Sequence, residues 1–390
     1  MLEPSRENSL KLLENFIKKG GLKDYSKKRN FDLGIGKKAN VSMLSPFIRR
    51  RILNEQEVIF KCLQNYKYLE IEKFIQEIFW RTYWKGWLEG RKEVWIDYRK
   101  NLSFLIGDYK IGIKKKLYNK AIEANTSIDC FNHWVKEITE FGYLHNHARM
   151  WFASIWIHTL KLPWELGADF FLKNLLDGDP ASNTLSWRWV AGLHTYGKMY
   201  IAKEDNINKF TLNRFTQKNY LNKISEIPDF KNYQYNPTSF IKAKVENNSC
   251  FLININNLNY CDNYIEFLSN LKVFCVLDMR YLNLNRLPLK FNEKALEKYI
   301  LFLKKNNINV EVLENFNDFF KFLKKNNYDN FFSPYPSIGY ELDLINLEIK
   351  QHHLNVNFNY NSYDLKCWPH ASSGFFKFKK KIPEFINDID

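Results

Sequence analysis

The feature that most constrains this chain is a change in the rhythm of its apolar residues. Up to about residue 215 they recur at helical spacing, as in Ile71, Phe74, Ile75, Ile78 and Phe79, or Trp151, Ile155, Thr159 and Leu162. An all-helical first half is predicted. After a polar stretch bearing Pro and Asn, residues 225–249, short apolar runs alternate with helical segments. Strands are predicted at 251–255, 273–277, 308–313, 330–332 and 354–358, and helices at 293–305, 317–325 and 341–352. Strand–helix alternation is solved by right-handed crossovers that lay helices over a mainly parallel sheet. The predicted fold class is therefore two-domain, α followed by α/β: a helical domain at 1–225, a linker at 226–248 and an α/β domain at 249–390.

A chain of 390 residues, 45% hydrophobic, is long enough to fill two cores. It contains no run approaching the roughly 18 uninterrupted apolar residues of a membrane span. The opening MLEPSRENSLKLLENF lacks the basic-then-apolar pattern of a signal peptide. A soluble, cytoplasmic protein without a membrane partner is expected. Cys62, Cys130, Cys250, Cys261, Cys275 and Cys367 are scattered, with no C-x-x-C and no His–Cys grouping at zinc spacing, which predicts buried free thiols and no metal site. The net charge of +15 suits a polyanion such as nucleic acid, whose phosphates reward Lys and Arg through counterion release. Compositional bias explains it equally well. Many lysines sit on predicted helix ends, as at Lys304-Lys305 and Lys324-Lys325, where they oppose the helix dipole.

Four segments carry residues able to do chemistry. Glu77, Trp80, Arg81 and Trp84 fall on one helical stripe, at i, i+3, i+4 and i+7. In an anonymous helix this reads as a surface Glu–Arg pair beside core tryptophans. Asn146, Arg149, Met150 and Ala153 form a similar stripe, and such mixed polar and apolar faces suit a ligand-lined cleft. Asp177-Gly178-Asp179 alone is a loop or a helix cap. Val41-Ser42-Met43-Leu44-Ser45-Pro46 is either an N-cap or a phosphate cradle.

The joint order of the segments says more than any one of them. Tyr25, the Ser42-x-Leu44-Ser45-Pro46 turn, Glu77-x-x-Trp80-Arg81, His145-Asn146-x-x-Arg149-Met150, Asp177-Gly178-Asp179-x-x-Ser182-Asn183 and Trp187-x-Trp189 follow one another as in the DNA photolyase/cryptochrome family. Residues 20–215 resemble its helical FAD-binding domain. The resemblance implies FAD as cofactor. It implies that Tyr25 and Ser42, Met43, Leu44 and Ser45 contact the FAD phosphates, that Arg81 contacts FAD, and that Arg149 pairs with Asp177 beside the isoalloxazine. Asp179 would face the flavin's polar edge, and Ser182 and Asn183 complete that loop, with Asn183 next to N5.

The same resemblance implies a substrate. Family members with Asn at the position of Asn183 tend to be repair enzymes. A His pair marks (6-4) photolyases at the positions held here by Asn146 and Met150, so the chain resembles the type that repairs cyclobutane pyrimidine dimers. Glu77 would then hydrogen-bond the dimer, helped by a burial-raised pKa. Trp80 would be the aromatic wall for a flipped dimer. Trp187 and Trp164 resemble the proximal and middle members of the tryptophan relay that photoreduces the flavin, with Tyr109, Trp151 and Trp156 as candidates for the distal one. Tyr143 stands where repair enzymes often carry Trp. The implied function is light-driven repair of cyclobutane dimers in UV-damaged DNA, single- or double-stranded, by a monomer. The alternatives are a cryptochrome-like photoreceptor without repair activity and a flavin-containing nucleic-acid binder that has lost catalysis.

The element order from residue 251 resembles the family's Rossmann-like antenna domain, displaced to the C-terminus as in a circular permutation. The closing Cys367-Trp368-Pro369-His370-Ala371-Ser372-Ser373-Gly374-Phe375-Phe376-Lys377-Phe378 resembles its exit linker. An antenna chromophore is the second cofactor this resemblance allows. The family's Arg-rich turn after the first strand is replaced by Asn256-Asn257-Leu258-Asn259, and no Gly-rich dinucleotide fingerprint follows that strand.

Overall fold

The computed structural model describes residues 2–34, 36–37, 40–222, 228–240, 249–387 and 389. Twelve α-helices are described before the first strand: α1 Arg6–Lys18, α2 Gly21–Lys28, α3 Ser45–Arg49, α4 Glu55–Leu63, α5 Tyr68–Glu89, α6 Glu93–Asp108, α7 Gly112–Ile122, α8 Asp129–Phe141, α9 Asn146–Ser154, α10 Trp164–Asn174, α11 Pro180–Val190 and α12 Glu204–Phe210. Local chemistry sets their ends. Ser5 accepts the Asn8 N–H at 3.1 Å to cap α1, and Gly142, at φ 64°, stops α8 in the left-handed conformation that glycine adopts without strain. The Glu70 carboxylate takes the free Lys67 N–H at 3.0 Å at the start of α5. The apolar stripe predicted on α5 is buried as its spacing requires, with Ile71, Phe74, Ile75, Ile78 and Phe79 in one core.

The second half is a five-stranded sheet, β1 Cys250–Ile253, β2 Lys272–Val276, β3 Val310–Leu313, β4 Asn330–Pro334 and β5 Asn355–Asn359. All described pairings are parallel, in the order β3-β2-β1-β4-β5, with Phe251 beside Val273 and Phe332. Alternate residues feed two cores, as the two-residue period of a strand demands. Phe251, Ile253, Val273 and Cys275 face one way with Phe291 and Leu296 of α14 (Arg286–Lys305). Cys250, Leu252, Phe274 and Val276 face the other with Phe319 and Phe320 of α15 (Phe316–Lys325) and Ile345 of α16 (Tyr340–His352). The inner strands of a parallel sheet are covered on both faces, which is why β1 and β2 read as nearly continuous apolar runs while the edge strands β3 and β5 alternate. All five predicted strands are present. Helix α13, Asp262–Leu268, is an addition, and α14 starts seven residues before the predicted 293 because its first two turns lack a clear apolar stripe.

The end of the chain departs from the expected division. Helices α17 Ser362–Cys367, α18 Phe375–Lys379 and α19 Ile382–Ile386 do not pack on the sheet. Tyr363, Cys367, Ala371, Phe375, Phe378, Ile382 and Phe385 instead join the core of the helical half, against Phe79 and Tyr83 of α5. Arg51 bonds Asp364 at 2.5 Å, and the Thr82 and Tyr363 hydroxyls meet at 2.9 Å. A single α/β domain spanning 249–390 therefore does not describe this packing, and the exit-linker reading of 367–378 gives way to a docked helical tail. Of the expected linker, 226, 227 and 241–248 lie outside the described residues. Residues 228–240 contain no helix or strand and run along α5 and α6, with Asn236 N–H on Gly90 O at 2.8 Å and Tyr233 on Asp97 at 2.8 Å. The sheet half is bound to the helical half by Arg50 to Asn292 at 2.5 Å, Trp95 to Asp343 at 2.9 Å and the Ile338 N–H to Glu89 at 2.9 Å. All six cysteines are free, and Cys261 is exposed where a buried thiol is expected. Among the described residues no helix is long and apolar enough to cross a membrane.

Candidate functional site

A cleft of about 430 Å³ opens where five segments of the helical half converge. The end of α2 contributes Tyr25, with Arg29 just beyond it. The turn into α3 contributes Ser42, Met43, Leu44 and Ser45, α5 contributes Glu77 and Arg81, and the start of α9 brings Asn146, Arg149 and Met150 opposite Asp177. Eleven of the expected site residues thus share one cavity although they span 150 positions of sequence. Met43, at φ 59°, makes the left-handed step that turns the chain into α3.

The Arg149–Asp177 pair is engaged from both sides. Arg149 Nη2 donates to both Asp177 oxygens, at 3.0 and 2.9 Å, while its Nε holds Leu144 O at 2.9 Å. Burial alone would raise the Asp177 pKa, but Arg149 and the Ser45 hydroxyl hold the carboxyl below its usual range. Behind this pair, Asp179 caps α11 by accepting the Ser182 N–H at 2.8 Å and lies 3.4 Å from Arg49 and 3.5 Å from Arg81. Burial opposes its ionisation, and Arg49, Arg81 and Lys85 together overcome it, holding Asp179 far down. Asp179 and Ser182 stand one layer behind the cleft wall, and Asn183 donates its Nδ2 to Ala168 O at 2.8 Å.

Some buried polar atoms remain without a hydrogen bond. Near the cleft they include Nε and Nη2 of Arg81, the latter with only the 3.5 Å approach of Asp179, Oγ of Ser182 and Nε1 of Trp187. Buried orphans of this kind cost about 1–3 kcal/mol each unless a ligand meets them. Arg81, with its orphaned donors at the cleft wall, and the hydroxyls of Ser42 and Ser45 suit a phosphate-bearing heteroaromatic molecule. The residues present fit FAD.

Two participants are missing from the sequence reading. Arg29 forms an ion pair with Glu77 across the cleft. Its signal is its place four residues after Tyr25, on the same helical face. Arg49, the partner of Asp179, is hidden in the Arg49-Arg50-Arg51 run. Burial pushes the Glu77 carboxyl above its usual range, and Arg29 pulls against that shift.

A family model described as the FAD binding domain of DNA photolyase matches residues 74–266. The helical region belongs to the photolyase/cryptochrome family. Among curated relatives, the deoxyribodipyrimidine photo-lyase of Buchnera aphidicola is 25% identical over 212 residues, 52% of this chain and 44% of that protein. That of Streptomyces griseus is 30% identical over 155 residues, 40% and 32% of the two chains. Cryptochrome DASH of Idiomarina loihiensis is 32% identical over 84 residues, 22% and 19%. The chain spans less than half the length of these relatives. A crystal structure of a bacterial class III photolyase from Agrobacterium tumefaciens superposes with a TM-score of 0.44 at 25% identity, covering 53% of this chain and 42% of that one. Glu77 through Trp187 lie inside the matched range, and Tyr25 and Ser42–Ser45 precede it.

Three further expected residues, Trp80, Trp164 and Trp187, do not line the cleft. Trp80 does not present an open face to the cleft. Phe375 of the tail stacks on it, centroids 3.5 Å apart and planes 12° from parallel, because the docked tail covers that side of α5. Trp187 is buried and meets Trp156 edge-on at 6.1 Å, an approach that Gly167 permits, since a Cβ there would fall 2.3 Å from the Trp187 ring. From Trp156 the ring contacts continue to Tyr118 at 6.1 Å and Tyr109 at 6.4 Å. Trp164, one helical turn before Gly167, packs on Tyr98 at 5.5 Å and under Arg188. Of the distal candidates, Tyr109 and Trp156 therefore belong to the branch from Trp187, and Trp151 stacks on Trp134 instead.

The strand order reverses between β1 and β4, the place where open α/β sheets hold ligands. Here the crevice is filled by the helical half. Arg49, Gly178 and Pro180 press against Asn256, Gly339 and Glu341, leaving about 40 Å³. Pro180 lies where a Cβ on Gly339 would meet it at 2.7 Å.

Proposed function

We propose that this chain binds FAD in the cleft and uses light to split cyclobutane pyrimidine dimers in DNA. The observation that carries the reading is the shared cavity: Glu77, Asn146 and Met150 line the same cleft as Arg81, Arg149 and Asp177. Asn146 is exposed at its mouth, within reach of an extruded base. When bound, FAD in its reduced form would supply a light-excited electron that opens the dimer and returns to the flavin once the ring has split. The protein's part is positional. Arg149 and Asp177 orient the ring system, and Arg81 with Ser42 and Ser45 meets its polar and phosphate groups. Glu77, whose carboxyl burial pushes above its usual range, donates to a dimer carbonyl. Asn146 and Met150, in place of a His pair, support cyclobutane dimers over (6-4) lesions. An antenna chromophore at the β1/β4 crevice is not part of this reading, because 40 Å³ is far below the roughly 300 Å³ of an ordinary small-molecule pocket.

The Phe375–Trp80 stack favours a second reading, a flavin photoreceptor whose lesion wall is already covered. The purified yellow protein, mixed with UV-irradiated DNA and illuminated, distinguishes them. Light-dependent loss of dimers is expected. Normal flavin content with no dimer loss in light would establish the receptor reading.

A further inference from the structure

The docked tail carries more than a packing role. Helix α18 turns Phe375 and Phe378 into the core, and away from that core it holds Phe376, 81% exposed, followed by Lys377 and, one turn on, Lys380. Lys379 pairs with Glu72 at 3.4 Å, and Lys381 with Glu384 at 2.9 Å. Lys377 and Lys380, both exposed, pair with no carboxylate among the described residues. A solvated basic face needs no large aromatic, and the core already has its two phenylalanines from this turn.

Position gives the patch its meaning. Phe375 stacks on Trp80, which lies one turn after Glu77 and directly before Arg81 on α5, so the tail borders the wall that carries the cleft. An exposed ring flanked by two unpaired cations matches the two demands of a single nucleic-acid strand, a surface on which a base can stack and charge for its phosphates.

We propose that Phe376, Lys377 and Lys380 form a contact site for a single DNA strand beside the cleft, Phe376 stacking on an unpaired base and the two lysines neutralising adjacent phosphates. This rests on the DNA reading above and extends it to a segment outside residues 74–266, the range matched by the family model.

The test is fluorescence anisotropy of the full, flavin-loaded chain with an undamaged, labelled single-stranded oligonucleotide across a salt series. Phe376→Ala is expected to weaken binding about fivefold or more, the loss of one base stack. K377A/K380A is expected to reduce the slope of log K against log salt by about 1.4, since each phosphate contact on a single strand contributes about 0.7. Thermal melts of both variants matching the unmodified protein separate these effects from undocking of the tail. Unchanged affinity and slope would overturn the proposal. So would an equal fall in slope from K115A/K116A on α7, or an equal effect of Phe376→Ala on a blunt duplex. Failure of the lyase reading is distinct: a chain that repairs nothing in light yet binds the strand through Phe376 keeps this site, and one that repairs normally without it loses only the site.

Discussion

Arg29 and Glu77 close an ion pair across the cleft, joining the end of α2 to the middle of α5. The pair sets two forces against each other, because burial drives the Glu77 proton on and the guanidinium drives it off. If a protonated Glu77 serves the dimer, repair fails as pH rises through its pKa. Arg29→Ala is expected to move that limb of the pH–repair profile to higher pH. Glu77→Ala should reduce repair roughly 10- to 100-fold, the range for losing a hydrogen bond to a charged group, with flavin retained. A profile that ignores Arg29, or a repair yield indifferent to Glu77, would show that neither group meets the substrate.

The aromatic contacts around Trp187 make a second expectation concrete. Trp187→Phe should slow photoreduction of oxidised flavin while sparing repair by chemically reduced protein. Trp156→Phe and Trp164→Phe then compare two exits, the Trp156–Tyr118–Tyr109 path and the Trp164–Tyr98 contact. Transient absorption after a flash reads both. The ring geometry favours the larger loss at Trp156, and a loss confined to Trp164 would refute that order.

Gly86 lets the tail approach α5. A Cβ there would lie 2.8 Å from the Trp368 backbone and 3.0 Å from Ala371 Cβ. Alanine improves helix propensity by up to about 1 kcal/mol, whereas overpacking costs about 1–3 kcal/mol. Gly86→Ala is therefore expected to be destabilising, by about 1–2 kcal/mol in urea unfolding. Stabilisation would mean that the tail is not seated as described.

Glu89, buried at the junction of the two halves, accepts the Tyr335 hydroxyl at 2.7 Å and the Ile338 N–H at 2.9 Å. Burial outweighs those bonds and pushes its pKa up to about 7 from 4.5. The folded state then holds a proton that the unfolded chain releases near 4.5, so the stability from this group is full below that pH and is lost as pH rises through about 7. Glu89→Gln keeps both contacts, accepting from Ile338 and donating to the Tyr335 oxygen. It is expected to flatten the decline in Tm over that window, worth about 1.4 kcal/mol per pH unit. Parallel Tm profiles for the two proteins would place the charge elsewhere.

Much of this architecture is legible before any coordinates. The five strands announce themselves because a parallel sheet buries both faces, and α5 does so through an unbroken apolar stripe. Tyr25, Ser42–Ser45, Arg149 and Asp177 are legible as an ordered set of short motifs. The tail is not. Its helices are five or six residues long, too short for a periodicity, and their apolar residues seat in a core formed some 300 positions earlier. Arg29 escapes because a lone basic residue past a helix end carries no pattern, and the covered face of Trp80 escapes because its partner arrives from the far end of the chain.

That arrangement bears on how the chain comes into being. The sheet is an excursion between two parts of one helical core, and the second part is made after it. A nascent chain carries the whole cleft lining long before Asp364, Phe375 and Phe378 exist to cover the flank of α5. During synthesis Arg51 has Glu55 but waits for Asp364, and Trp80 waits for its stacking partner, so the helical half completes its fold only after the sheet that interrupts it.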